Sequence, residues 1–534
     1  MSVRAKARAV NVMVRARRTA LGRFIARHQP QLLIVLIFVV SRFAFRQAGV
    51  ARDGRPLNDA FQLLDRGHLQ NDMLESLANL HVQPPLFNLF VGLGLQAPQS
   101  LELRFFRYTY LAFGLAMALA LYAVLRRVGL GPKVGVALTA AFMLNPSVFL
   151  YENWLHYDYP VTLLLCLATL ALLRYEDRHR PKDAAIFLVL LAAVVLTRSL
   201  FHLVWFGAWA VFMVFHRRHS DWRKVAAAAA VPLLIVVAVQ ANIYRVSGTL
   251  TSSTSLGGMS LAKMTVFQLS GSERQRLVAE GKLSALSLVD PFSPLSSYQG
   301  LAPAHERTGV GVLDEELKAV YFNPPSASAY RQNFNNLTYV DLSNRYLKDA
   351  VEVLRTRPGA YLKAVAVAYD IFFRPTSDFF TLYENRQRVG GLENLYNVGV
   401  YGVVSGGPGP SQFPDHRVKG YGHEPGRRAW LAIVAYPVAI LWGAWALWSR
   451  RRLDHLRPPP LVLAFLWSTI LYVMVVGNAL EVGENNRFRL YTEPLMIVLL
   501  AGLVVSWLVG RRQASDGANE TVAEPAAEPA AVST

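Results

Sequence analysis

The chain is poor in charge and almost free of cysteine. Of its 534 residues, 17% are charged and 53% hydrophobic, too few charges to coat a soluble body of this size. The one cysteine, Cys166, stands inside LLLCLATLAL. A disulfide within the chain is therefore excluded, and a buried apolar role is expected. A P-loop, an HExxH zinc motif, a GxSxG elbow and a paired CxxC are all absent, which removes the soluble-enzyme chemistries those motifs support. No internal repeat is visible either.

What is present is a series of apolar blocks. A bilayer core of about 30 Å needs about 20 apolar residues as helix. About ten blocks approach that length, near residues 32–48, 105–125, 134–150, 159–173, 184–196, 200–215, 225–243, 429–448, 460–480 and 491–509. The fold expected is an all-α polytopic membrane protein. The formal charge of +19 does not point to nucleic acid, because the Lys and Arg fall in short clusters between the blocks. Those clusters (Arg126-Arg127 to Lys133, Arg174 to Lys182, Arg217 to Lys224, Arg450 to Arg457, Arg511-Arg512) occupy every second connection, together with the basic N-terminus. The positive-inside rule then puts both termini in the cytoplasm of a multi-pass plasma-membrane or inner-membrane protein. Ten spans close the parity, so residues 86–96 are expected to form a short interfacial helix rather than an eleventh span.

The domain reading follows. Residues 1–31 form a basic cytoplasmic arm without a cleavage site behind it. Residues 32–243 make a first transmembrane block whose outer loop spans 46–104. Residues 244–428 form an extracytoplasmic domain, with amphipathic patterns in LTYVDLSNRYLKDAVEVLRTRP and in AYLKAVAVAYDIFF, the latter suited to the interface. The last helices occupy 429–510, and 511–534 read as a disordered acidic tail.

Chemistry must then come from polar residues at the outer ends of the spans. The first outer loop offers Asp53, Asp59, Asp65, Asp72 and Glu75, then His81 and Pro84-Pro85 opening an apolar helix. A carboxylate there can take a proton from an acceptor hydroxyl, or simply cap a helix. The last outer loop, EVGENNRFRLYTEP, holds Glu481, Glu484, Arg487, Arg489 and Glu493. Its guanidinium groups suit a phosphate, and equally an interfacial ion-pair cluster. Arg42 and Arg198 have the same two readings. Glu152, His156 and Asp158 in YENWLHYDYP sit among aromatic residues and read as an anchor at the membrane interface.

A basic N-terminus, one span, and an acidic outer loop closed by HVQPPLFNLF together resemble the GT-C class of membrane glycosyltransferases, which includes protein O-mannosyltransferases and aminoarabinose transferases. HVQPPLFNLF is similar to their histidine-diproline-leucine segment, with two residues between His81 and Pro84. YENWLHYDYPVTLLLCLATLALLRY and GENNRFRLYTEPLMIVLL resemble the mid-chain segment and last outer loop of bacterial members. The resemblance implies a GT-C-like fold, a polyprenyl-phosphate sugar donor, and inverting transfer to a glycan, lipid or protein acceptor of the cell envelope on the extracytoplasmic face. It also implies a first-loop acid as catalytic base, Asp59 or Asp65. Substrate binding falls to Arg42, His81, Glu484, Arg487 and Arg489, the last two holding the donor phosphate. The paired Asp-Glu or Asp-x-Asp of that class is absent, so the base stays open between the two aspartates, and so does a divalent metal. A lipid or solute transporter and a non-catalytic envelope assembly protein are the readings from other classes.

Overall fold

The computed structural model describes residues 3–216, 222–251, 253–301, 305–319, 331–405, 427–449 and 457–522; within these, the side chains of 3–24, 59, 216, 255, 256, 380, 405 and 512–522 lie outside the description. The chain is all-α apart from one short antiparallel pairing, Val403–Ser405 with Arg427–Ala429. Among the described residues seven helices are long and apolar enough to cross a membrane: Ile25–Gln47, Gln99–Arg127, Asp158–Arg178, Trp222–Ser247, Trp430–Trp448, Pro460–Leu480 and Asn485–Arg511. Pro132–Leu144 and Pro146–Glu152, bent by 59° against each other, make an eighth if taken as one broken span. The two remaining blocks form the helices Pro181–Thr197 and Leu203–His216. At 17 and 14 residues they fall short of a 30 Å core unless neighbours or thinner lipid accommodate them. The segment expected to stay short is a 10-residue helix, Leu86–Leu95. All ten apolar blocks are thus helical, and the polytopic all-α expectation stands.

The bend has a local cause. Asn145 precedes Pro146, which disfavours helical backbone at Asn145. Its φ and ψ are −59° and 124°, and its side chain accepts the Ser147 N–H at 3.1 Å. One residue therefore ends one helix and caps the next, with proline at the first position where its missing N–H costs nothing.

The helix Asp158–Arg178 is the centre of the block. It is apolar on every face, with 78% of its apolar window buried against 17% for Ile25–Gln47, as an all-round apolar helix must be. It packs against Gln99–Arg127, Pro181–Thr197 and Asn485–Val522. Thr162 and Thr169 return their hydroxyls to the carbonyls of Asp158 and Leu165, both at 2.9 Å, so these two side chains carry no open polar group into the apolar layer. Cys166 is buried there, as expected.

Outside this block, Thr254–Met264 lies against the amphipathic helix Thr338–Thr356. Their approach depends on Gly258: a Cβ there would collide with the Ser343 backbone carbonyl, while its N–H reaches the Ser343 hydroxyl at 3.0 Å. The AYLKAVAVAYDIFF segment lies in the helix Pro358–Phe372, packed on Pro460–Leu480 and Asn485–Val522. The last helix runs to Val522; the rest of the expected acidic tail lies outside the described residues.

Candidate functional site

The loop between the broken span and the central helix, residues 153–157, is where the outer segments converge. Asp158 opens the central helix, where the exposed N–H groups favour a negative charge. Its carboxylate is fully buried and gathers three partners: His156 Nδ1 at 2.9 Å, the Tyr491 hydroxyl, and Arg487 at 3.6 Å. His156 turns its other nitrogen, Nε2, to the Gln62 side-chain amide at 3.3 Å. The imidazole lies flat on Trp154, ring centroids 4.0 Å apart, and 3.9 Å from Tyr157. Burial pulls its pKa down to about 4. It is therefore neutral near pH 7, with Nδ1–H donating to Asp158. Gln62 belongs to the first outer loop and Arg487 to the last, so the two loops meet through this third segment. The aromatic loop read as an interface anchor is instead an interior hub: Glu152, His156 and Asp158 are all buried.

Two arginines frame the hub. Arg487 donates to Glu484 at 2.5 Å and to the Tyr157 hydroxyl at 3.5 Å. Arg198 reaches the same Tyr157 hydroxyl and stacks over its ring at 4.7 Å. Both are buried, and the Nε–H of each has no hydrogen-bond partner. Buried guanidinium donors without acceptors are costly unless something external supplies the oxygen. Gln83, in the HVQPP segment, is in the same condition: its amide nitrogen and oxygen are both buried and unpartnered.

The other expected site residues are placed as follows. Asp59 closes the one-turn helix Pro56–Asp59, and its side chain lies outside the described residues. Asp65 caps the helix Arg66–Asn71: one carboxylate oxygen accepts the Gly67 N–H at 2.6 Å, the other the Ala319 N–H at 2.7 Å. His81 is fully buried, with Nε2–H donating to the Asn335 carbonyl at 2.8 Å and Nδ1 accepting from Thr254 at 2.6 Å. Burial lowers its pKa to about 4. Arg42 does not stand beside Arg487. It forms a buried bidentate pair with Glu152 at 2.9 to 3.2 Å, shared with the Tyr159 hydroxyl at 2.7 Å. Arg489 leaves the helix two residues after Arg487 and faces elsewhere, toward Glu493 at 3.6 Å and the Phe372 carbonyl at 3.2 Å. Arg487 and Glu484 are therefore together at the hub, while Arg42, His81 and Arg489 each serve a separate contact. Gln62, Tyr157 and Tyr491 carry no mark in the sequence, because their partners lie far along the chain. No group of three or more His, Cys, Asp or Glu side chains among the described residues is arranged to hold a metal ion.

Residues 82–244 match the family model described as dolichyl-phosphate-mannose-protein mannosyltransferase. The resemblance to GT-C class polyprenyl-phosphate-dependent glycosyltransferases holds. The matched stretch contains the hub loop and Arg198, and stops short of residues 245–428 and of the loop that holds Arg487. Among solved structures, the archaeal oligosaccharyltransferase AglB from Archaeoglobus fulgidus, in complex with an inhibitory peptide and a dolichol-phosphate, is similar at 12% identity and a TM-score of 0.35. That alignment covers 93% of this chain and 52% of AglB, so the chain spans about half that protein's length. No curated protein matches the chain in sequence.

Proposed function

We propose that this chain is an inverting GT-C type glycosyltransferase, moving a sugar from a polyprenyl-phosphate donor to an envelope acceptor on the extracytoplasmic face. The observation that carries the reading is the hub: a first-loop side chain, Gln62, and a last-loop arginine, Arg487, join through His156 and Asp158. An inverting transfer needs a base on the acceptor side and an electrostatic clamp on the leaving group. In the reaction, a first-loop carboxylate takes the acceptor hydroxyl proton as that oxygen bonds the anomeric carbon. The bond from that carbon to phosphate breaks on the opposite face, and polyprenyl phosphate leaves with the electron pair.

Arg487 and Arg198 are the clamp in this reading. Their unpartnered Nε–H groups stand ready for phosphate oxygens, and the leaving group's growing charge would be met by donors already in place. Asp59 is the base. The rival, Asp65, has both oxygens engaged by backbone N–H groups, so its lone pairs serve the cap and the contact with Ala319 rather than an acceptor hydroxyl. His81 and Arg42 act by holding the scaffold.

The test is deletion of the gene in its host, with the sugar composition of envelope lipids and polysaccharides compared across complemented strains. A component lost on deletion should return with wild type and with Asp65→Asn, and stay absent with Asp59→Asn at equal membrane protein level. Full recovery with Asp59→Asn removes it as the base. A deletion that changes no glycan removes the transferase reading.

A further inference from the structure

The turn that follows Asp59 is gripped from three directions. From the membrane block, Asn88 of the helix Leu86–Leu95 accepts the Leu64 N–H at 2.9 Å and donates to the Gln62 carbonyl at 3.0 Å. From the side, Phe61 meets Phe334 and Phe292 edge-on at 5.1 and 5.8 Å. From the external domain comes Lys318. Its ammonium is carried into the interior, leaving the residue 1% exposed, and donates to the carbonyls of Ala60 at 2.7 Å and Leu63 at 3.0 Å. The next residue, Ala319, gives its N–H to Asp65.

Lys318 is itself held in a short antiparallel ladder. Leu317 bridges Gln332, the Lys318 N–H reaches the Arg331 carbonyl at 2.7 Å, and Arg331 returns a bond to the Lys318 carbonyl at 2.6 Å. In the turn three residues after Gln332, Asn335 takes the His81 N–H at 2.9 Å and the His81 ring. One strap of the external domain therefore fixes both ends of the first outer loop's inner part, at 60–65 and at 81–82.

Burying an ammonium costs several kcal/mol by order of magnitude, and an apolar residue would serve packing better. What the ammonium adds is direction: it draws two carbonyls to one point and sets the turn's conformation. We infer that Lys318 is a positioning residue for the transfer, orienting the turn 60–63 and with it Asp59 on one side and Gln62 toward His156 on the other. The inference rests on the glycosyltransferase reading, and it makes the external domain part of the catalytic geometry rather than an appendage.

Two readouts test it on the full-length protein. The first is amide hydrogen exchange in detergent for wild type, Lys318→Met and Lys318→Arg. Lys318→Met should speed exchange at residues 60–69 about tenfold while Thr338–Thr356 keeps its wild-type protection. Lys318→Arg, which can still donate to two carbonyls, should recover most of that protection. The second is the complementation assay: the glycan component should fall about a hundredfold with Lys318→Met and return largely with Lys318→Arg, at matched protein level. The inference is overturned if exchange at 60–69 is unchanged, or if Thr338–Thr356 loosens equally, since Lys318 then only holds the domain together. It is also overturned if Lys318→Met keeps the glycan while Asp59→Asn loses it. If Asp59→Asn too keeps the glycan, Asp59 is not the base, and if deletion itself changes no glycan the transferase reading fails; in either case exchange alone decides whether Lys318 sets the turn.

Discussion

In the first outer loop, Asp65, Arg66 and His81 are all engaged, while Arg52 and Gln83 keep buried polar atoms without a hydrogen-bond partner. Asp65 caps a helix and binds the external strap, Arg66 is buried against Glu102 at 2.6 Å, and His81 is bonded through both ring nitrogens. In the last outer loop, Arg487 keeps a buried N–H without an acceptor, and so does Arg198 facing it. Asp65, the first loop's candidate acid, is engaged at both oxygens, whereas Arg487, the last loop's cation, keeps a donor open. The contrast teaches that a carboxylate count is a poor guide to a base, whereas a buried donor with nothing to bond marks a place to test for a ligand.

The sharpest way to break this comparison is at Asp59 and Asp65. If the loop carries one base among structural acids, Asp59→Asn should lower transfer by about a thousandfold or more, as loss of a general base typically does. Asp65→Asn should instead lower stability by about 1 to 2 kcal/mol through loss of a cap, with transfer retained; envelope glycan analysis and a thermal melt in detergent separate the two. Equal loss at both positions would erase the distinction.

Next in size is Arg487→Gln. It removes the clamp and strands Asp158, so transfer should fall about a hundredfold and stability by about 3 kcal/mol. Adding Asp158→Asn should recover stability and not transfer. If the double variant recovers both, the arginine is a structural partner of Asp158 and nothing more.

Arg42 and Glu152 offer a control of purely scaffolding kind. The pair is buried on both sides, so removing either partner should cost about 3 to 5 kcal/mol, and replacing both by apolar residues less than either alone. A double-variant melt lower than both singles would contradict this.

Acid should unsettle the hub before it touches the surface. His156 and His81 are drawn to about 4 in the folded protein, against about 6.5 unfolded. Between those values the unfolded chain binds more protons than the folded one. Stability is therefore flat above pH 7 and falls as pH drops from 6.5 toward 4, by up to about 3 kcal/mol for each histidine. Melting temperatures measured from pH 8 to 4 should show that slope, and His156→Gln should flatten it by about half; a flat profile in the wild type would refute the neutral-hub assignment. The smallest effect belongs to Glu384→Gln, which removes an exposed partner of Arg55 and should change stability by less than about 1 kcal/mol. A larger shift there would mean that the first loop's rim is as tightly held as its interior.

Legibility in the sequence followed the same division. The ten apolar blocks became helices because hydrophobicity within one segment is enough to specify an element that satisfies its own backbone. The short helix after Pro84-Pro85 was readable from two prolines and its length. The aromatic loop at 151–160 was misread as an anchor, since an interface belt and a buried hub use the same Tyr, Trp and His. What separates them is a partner: Tyr157 and Arg487 are 330 residues apart, and nothing in either segment names the other.

The sequence by itself determined that this protein is an all-α chain of membrane-crossing helices joined by polar loops. Those are properties of single segments, decided by how many apolar residues follow one another. Only the tertiary structure decided which charges are satisfied and which are left open. It gave Asp65 two backbone donors, closed Arg42 on Glu152, turned Arg489 away from Arg487, and brought Lys318 onto the turn beside Asp59. Each of these is a pairing across distant segments, and a pairing exists only once the helices have packed and excluded the water that would otherwise have served as partner.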